Sequence, residues 1–158
     1  MKAFTRLFIV AALVSPAFHS QAGDFSVGTT KDGVTIKFEG ALFTRYVIGQ
    51  SNKPFIWPII GPNGNEVTRA FPMEKREGER HDHPHHRSLW FGHQGIGGFD
   101  TWHEPASGRK TSLGSTVHRK FVKVQGGETA VIVTRNDYVG GGKKLLADER
   151  THIFKMEN

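Results

Sequence analysis

Six of the nine histidines in this chain lie between residues 81 and 103. They fall in the run His81-Asp82-His83-Pro84-His85-His86-Arg87-Ser88-Leu89-Trp90-Phe91-Gly92-His93 and in the later Trp102-His103-Glu104. Imidazole titrates near neutral pH and is the commonest metal ligand. A first chemistry is therefore a divalent transition metal held by His81, His83 and His93. On an extended backbone His81, His83 and His85 share a face, and Pro84 biases His83 toward extended geometry. His93, with His103 or Glu104, would complete such a site from neighbouring segments and leave positions open for iron, manganese, copper or zinc. No thiolate is available, and the spacing matches no established zinc motif.

A second chemistry needs no metal. His85, His86 and Glu104 can act as general base and acid. Trp90 and Trp102 can stack on the apolar face of a sugar ring, while the fork of Arg87 binds a carboxylate or hydroxyls. The competing structural reading has single histidines satisfying buried carbonyls and Trp90-Phe91 as plain core. It fits any one of these residues better than the whole cluster, because so many imidazoles beside an arginine have no simple packing explanation. Just upstream, Arg69, Lys75, Arg76, Glu77 and Glu79 read as a solvated charged loop. Gly95-Ile96-Gly97-Gly98 reads as tight turns, since neither GK[ST] nor a helix pattern follows it.

The elements that must position this block are strands. Residues 25–30 lead through Lys31-Asp32-Gly33 into an alternation of Val34, Ile36 and Phe38 with Thr35, Lys37 and Glu39, the pattern of a hairpin with one buried face. Residues 42–48 continue with Leu42, Tyr46 and Ile48 in phase, and 55–60 are apolar throughout. Pro54 and Pro58 place this last run at an edge or a bend. Gly61-Pro62-Asn63-Gly64 is a turn. Residues 121–124 and 130–134 flank Gly126-Gly127 as a second hairpin, with Lys120, Lys123 and Arg135 toward solvent. After Gly140-Gly141-Gly142, residues 145–154 form a strand in which Glu149, Thr151 and Ile153 share one parity. Short strands with hairpin turns predict an all-β fold, an antiparallel β-sandwich or barrel.

Residues 1–22 have the layout of a secretory signal peptide. Lys2 and Arg6 precede an apolar run that Pro16 interrupts, and Ser20-Gln21-Ala22 offers a cleavage site. The expected location is periplasmic or secreted, with residues 23–158 as one domain and no membrane contact after leader cleavage. Without the leader, 19 basic residues face 15 acidic ones, a formal charge of +4 in place of +6. Basic residues are scattered, which argues against a nucleic-acid partner. The chain has no cysteine, so its core must hold it without disulfides. The sequence stops at Lys155-Met156-Glu157-Asn158, directly after a strand-like run, and the expectation is a truncated domain.

Lys53-Pro54-Phe55, Trp57-Pro58, Gly61-Pro62-Asn63-Gly64, Thr68-Arg69, Phe71-Pro72 and the run from His81 to Trp90 resemble the PmoA-like family of exported bacterial proteins. That family carries the label "methane oxygenase PmoA" and is otherwise a domain of unknown function. The resemblance spans residues 25–154, about the first half of the family's usual domain. It implies a large antiparallel sandwich, akin to sugar-binding mutarotase-like supersandwiches, and a place among carbohydrate-degrading gene sets. The membrane subunit of the same label is built from spanning helices, which nothing after the leader can form. Three functions stay open: a protein acting on a carbohydrate-like small molecule, a metal-dependent oxidoreductase, and a non-catalytic glycan-binding module.

Overall fold

A computed structural model describes residues 24–156; the predicted signal peptide at 1–22 lies outside the described residues. Among the described residues, eight strands form two antiparallel sheets. The first has the order β1-β2-β3-β4-β5, from Phe25–Thr30 (β1), Gly33–Phe38 (β2), Ala41–Val47 (β3), Phe55–Ile59 (β4) and Leu89–Trp90 (β5). The second has the order β6-β7-β8, from Gly114–Gln125 (β6), Ala130–Gly140 (β7) and Lys143–Phe154 (β8). Among the described residues there is no α-helix, only a 3₁₀ turn at Pro105–Ser107. The all-β sandwich expected from the alternation is the fold.

The core joins both sheets. Phe25, Val34, Ile36, Tyr46 and Ile56 of the first pack with Ala130 and Ile132 of the second, and Phe43 meets Phe154 edge-on. At one side the sheets are tied by reciprocal hydrogen bonds between Phe25 and Gly127, 2.7 and 2.9 Å. The alternation at Val34, Ile36 and Phe38 faces this core as read. The phase expected in the next strand does not hold across its length. A bulge between Ile36 and Lys37 pairs Ile36 with Thr44 but Lys37 with Leu42, so Phe43, and not Leu42, packs against the core cluster.

β4 tolerates its proline through irregular pairing. Thr44 opposes Ile59 while Tyr46 opposes Ile56, so Pro58 occupies a break in the ladder. Its carbonyl still accepts the Thr44 hydroxyl at 2.6 Å. The outer partner of β4 is the two-residue β5, which pairs only with Phe55 and Ile56. The second hairpin is longer than its apolar stretch indicated, because polar inward residues (Thr116, Thr134, Asn136) extend it. Two irregular segments, 60–88 and 91–113, leave the sheet on either side of β5. They carry the histidine block.

Candidate functional site

Of the charged residues leading to the histidines, Lys75, Arg76 and Glu77 are exposed as their charges indicate, but Arg69 and Glu79 are half-buried and bind the backbone. Arg69 donates from Nε to the Phe71 carbonyl at 3.0 Å and from one terminal nitrogen to the carbonyls of Arg80 and Asp82 at 3.0 and 2.6 Å. Its other nitrogen reaches the Asp82 carboxylate at 3.2 Å. Glu79 accepts the backbone N–H groups of Ala70 and Phe71 at 2.8 and 2.9 Å. These bonds hold its carboxyl below the usual range. A segment without ladder bonds must satisfy its backbone some other way, and these two side chains do so.

The backbone of the histidine run is a turn, not a strand. His83 has φ +48°, in the left-handed region, and the His86 N–H donates to the His83 carbonyl at 2.9 Å. Pro84 thus takes the second position of a four-residue turn, where its fixed φ is favoured. The shared face expected for His81, His83 and His85 does not form. His81 stacks on Phe71 with centroids 4.9 Å apart, His83 stacks on His86 at 5.1 Å, and His93 bonds through Nδ1 to the Gln94 carbonyl. The three residues expected as metal ligands therefore occupy three separate settings. Among the described residues no group of three or more His, Asp or Glu is arranged to hold a metal ion.

The turn brings a different set together. His83, His85, His86 and His103 line one depression of ≈ 560 Å³ with Trp102, Ser107 and Arg109. His85 lies 4.4 Å from His86 and 4.6 Å from His103, centroid to centroid. His86 and Trp102 also form the wall of an adjoining depression of ≈ 470 Å³, completed by Thr68, Arg69, Ser88 and Trp90. The two tryptophan rings meet edge-on at 4.5 Å. Gly92 lets the chain pass this corner, since a Cβ there would stand 2.7 Å from the Trp90 ring and 3.0 Å from the Thr101 carbonyl.

Electrostatics keep the deeper rings neutral. Burial drives the His85 ring down to about 4, with the neighbouring His86 and His103 adding to the shift. Burial also lowers His86, helped by His83. His85 is fixed through Nδ1 to the Ser107 hydroxyl at 3.0 Å. That hydroxyl also accepts the Glu104 N–H at 3.2 Å, so one serine closes the 3₁₀ turn and orients an imidazole.

Glu104 and Arg87, expected to move protons and to hold substrate, are engaged with each other beneath the groove. Arg87 Nε and a terminal nitrogen donate to the two Glu104 oxygens at 2.8 and 2.9 Å. Ser51 donates to the same carboxylate at 2.8 Å, and Lys53 Nζ lies 3.4 Å away. Burial by itself would raise the Glu104 carboxyl, but Arg87, Ser51 and Lys53 outweigh it and hold the group ionised. Neither Arg87 nor Glu104 lines the groove.

Besides Ser51, Ser107, Arg69 and Arg109, two further contributors lay outside the expected site residues, Lys53 and Asp100. Lys53 is 1% exposed; its ammonium donates to the Trp102 carbonyl at 2.8 Å and sits 4.7 Å from the Trp90 ring centroid. Burial lowers it to about 8 despite Glu104. Asp100 accepts the N–H groups of Trp102 and His103 at one oxygen, 2.8 and 3.1 Å, and His103 Nδ1 at the other, 2.7 Å. The sequence signal for Asp100 was its place two and three residues before Trp102 and His103, the spacing of an Asx turn. Lys53 carried no such signal beyond its place in the resemblance.

Comparison with curated proteins and with solved structures finds no match to this chain. The family model that matches spans residues 33–158 and carries neither an activity nor the PmoA label. The chain belongs to the family described as "Family of unknown function (DUF6807)".

Proposed function

We propose that the chain binds a small, carbohydrate-like molecule in the groove formed by the two adjoining depressions. The observation that carries this reading is the wall they share. Trp102, 37% exposed, stands beside His86 and offers an aromatic surface flanked by neutral imidazoles. Aromatic faces take the C–H side of a sugar ring, and fixed neutral polar groups take its hydroxyls. No carboxylate lines either depression, whereas Arg109 and Arg69 do. The ligand is therefore neutral or anionic, a sugar or a uronate, and not an amino sugar. The volume suits one or two rings.

The leader-like residues 1–22 support export, and the PmoA-like resemblance adds a carbohydrate context without an activity. The two-sheet architecture names no function by itself. An oxidoreductase reading finds no favourable arrangement, because His81, His83 and His93 do not converge. The test is saturation-transfer NMR and calorimetry of the full chain with neutral monosaccharides, disaccharides and uronates. Binding that weakens at least tenfold in Trp102→Ala is the expected result. A panel in which no sugar or uronate binds, or binding that Trp102→Ala leaves unchanged, would overturn the reading.

A further inference from the structure

We infer that Asp100 and His103 form a carboxylate–imidazole pair in which His103 Nε2 is the proton acceptor of the groove. It takes the proton of an O–H group held there. The inference rests on the groove being a ligand site and adds to it a reactive atom.

The geometry is that of a base held by a third group. Asp100 is fixed before it meets the ring: its Oδ1 accepts two backbone N–H groups, and Thr111 reaches Oδ2 at 3.4 Å. Its own backbone is anchored on both sides. The Asp100 N–H donates to Ser112 and its carbonyl accepts from Gly114, each at 2.8 Å, which ties the loop to the start of β6. An ionised carboxylate accepts only, so the 2.7 Å contact with His103 Nδ1 requires the proton on Nδ1. In the neutral ring Nε2 then carries the lone pair. His103 is 5% exposed and is one of the residues lining the groove.

Burial supplies the reason for such an arrangement. An imidazolium formed in the groove would be poorly solvated, and a carboxylate 2.7 Å from Nδ1 compensates the charge as it appears. The adjacent His85 ring stays neutral, so it adds no opposing positive charge, and Ser107 keeps it in place. His85, His86 and Glu104 were expected to move protons from their types alone. Two groove rings meet a carboxylate at Nδ1: Asp82 reaches His83 at 3.2 Å with both side chains exposed, whereas the Asp100–His103 pair at 2.7 Å is buried and fixed. Ser107 is not the nucleophile of this pair, since its hydroxyl is taken up by the Glu104 N–H and the His85 ring.

The step balances without a cofactor. As the oxygen of the O–H group bonds to an electrophilic carbon, its proton passes to Nε2 and the leaving group departs with the bonding electron pair. The imidazolium later releases the proton to solvent. With 4-nitrophenyl acetate as probe the O–H group is water: one proton passes to Nε2, 4-nitrophenolate leaves with the bonding pair, and the acetic acid formed loses the second proton to solvent as acetate.

Two measurements test the pair on the full chain. Long-range ¹H–¹⁵N correlation of the histidine rings at pH 8 reads the tautomer directly, with no variant required. His103 is expected in the Nδ1–H form, changing toward Nε2–H in Asp100→Asn. Hydrolysis of 4-nitrophenyl acetate is expected to fall at least tenfold in both His103→Gln and Asp100→Asn. An Nε2–H tautomer in the unaltered chain, or ester hydrolysis equal in the unaltered chain and His103→Gln, overturns the inference. Sugar binding that persists in that case leaves the groove standing without its base. The expected tautomer and rate loss in a chain that binds no sugar would instead uphold the base and remove the carbohydrate reading.

Discussion

Arg87 and Glu104, from the two irregular segments on either side of β5, meet in a two-pronged ion pair with Nε···Oε1 at 2.8 Å. Glu104 is 4% exposed, and Lys53 lies against the same oxygen. One carboxylate thus compensates two buried or half-buried cations, and it pins the loop carrying the histidines to the loop carrying Trp102.

Removing that charge leaves the buried Lys53 and the half-buried Arg87 without compensation. Glu104→Gln keeps the shape and one acceptor, but the lost ion pairing is expected to cost about 3–5 kcal/mol. Urea unfolding of the variant beside the unaltered chain measures it. Lys53→Met is expected to cost much less, because Arg87 still satisfies the carboxylate and a thioether chain fills the ammonium's space. Equal losses in the two variants would show that Glu104 is not the centre of the network.

Strands that bury one face, such as β2 with Val34 and Ile36 inward and Lys37 outward, could be read because alternation reports such burial directly. The bulge at Ile36 and Lys37 could not, because its cause is pairing with a distant strand; it altered the reading at Leu42 and Phe43. The site was legible in part. The density of histidine located the groove, and His83, His85, His86 and Trp102 do line it. Roles were harder to assign, because residue type does not reveal which partner a charge will find. Arg87 offered a fork for a substrate carboxylate, and the fold supplied Glu104 instead. The extended backbone assumed for His83 was lost to a turn whose closing bond spans His83 to His86. Lys53 was invisible as a site residue because a lysine before a strand is ordinarily solvated.

Acid is expected to destabilise the protein well before its carboxylates titrate. His85 accepts a proton at about 4 in the folded chain and near its ordinary 6.5 when unfolded. Between those values the unfolded chain binds the proton that the folded chain refuses, so stability falls as pH drops from 6.5 toward 4. Burial lowers His86, His118 and His152 in the same direction. The depressed carboxyls of Glu104, Asp100 and Asp148 add losses only below their own ordinary values. Urea midpoints at pH 7.5, 6 and 5 should decline steadily, and less steeply in His85→Gln. A midpoint that holds constant from pH 7.5 to 5 would contradict the buried neutral rings.

The clamp made by Arg69 and Glu79 predicts a local effect. Arg69 is tied to three carbonyls and one carboxylate, a pattern that an ammonium cannot copy. Arg69→Lys should loosen residues 71–82 and weaken ligand binding severalfold while the global unfolding midpoint hardly moves. Glu79→Ala should free the amides of Ala70 and Phe71, so their hydrogen exchange accelerates by at least tenfold relative to amides in β7. Uniform acceleration across both sheets would mean that the clamp supports the whole fold and not this segment.

Trp90 and Trp102 meet edge-on yet should separate in a binding experiment. Trp102 is the exposed face shared by both depressions, whereas the Trp90 ring also covers the Lys53 ammonium at 4.7 Å. Trp90→Leu keeps an apolar wall but withdraws the negative ring face, a loss of roughly 1–2 kcal/mol for a desolvated cation. Without that face the charged form of Lys53 is less favoured, so its titration should move below the value of about 8 that burial already imposes. The ¹³Cε shift of Lys53, followed from pH 6 to 10, reads this directly. Trp102→Ala should leave that titration unchanged while removing sugar binding. A Lys53 titration insensitive to Trp90→Leu would assign the depression to burial and Arg87 alone, leaving Trp90 as a wall of the groove and nothing more.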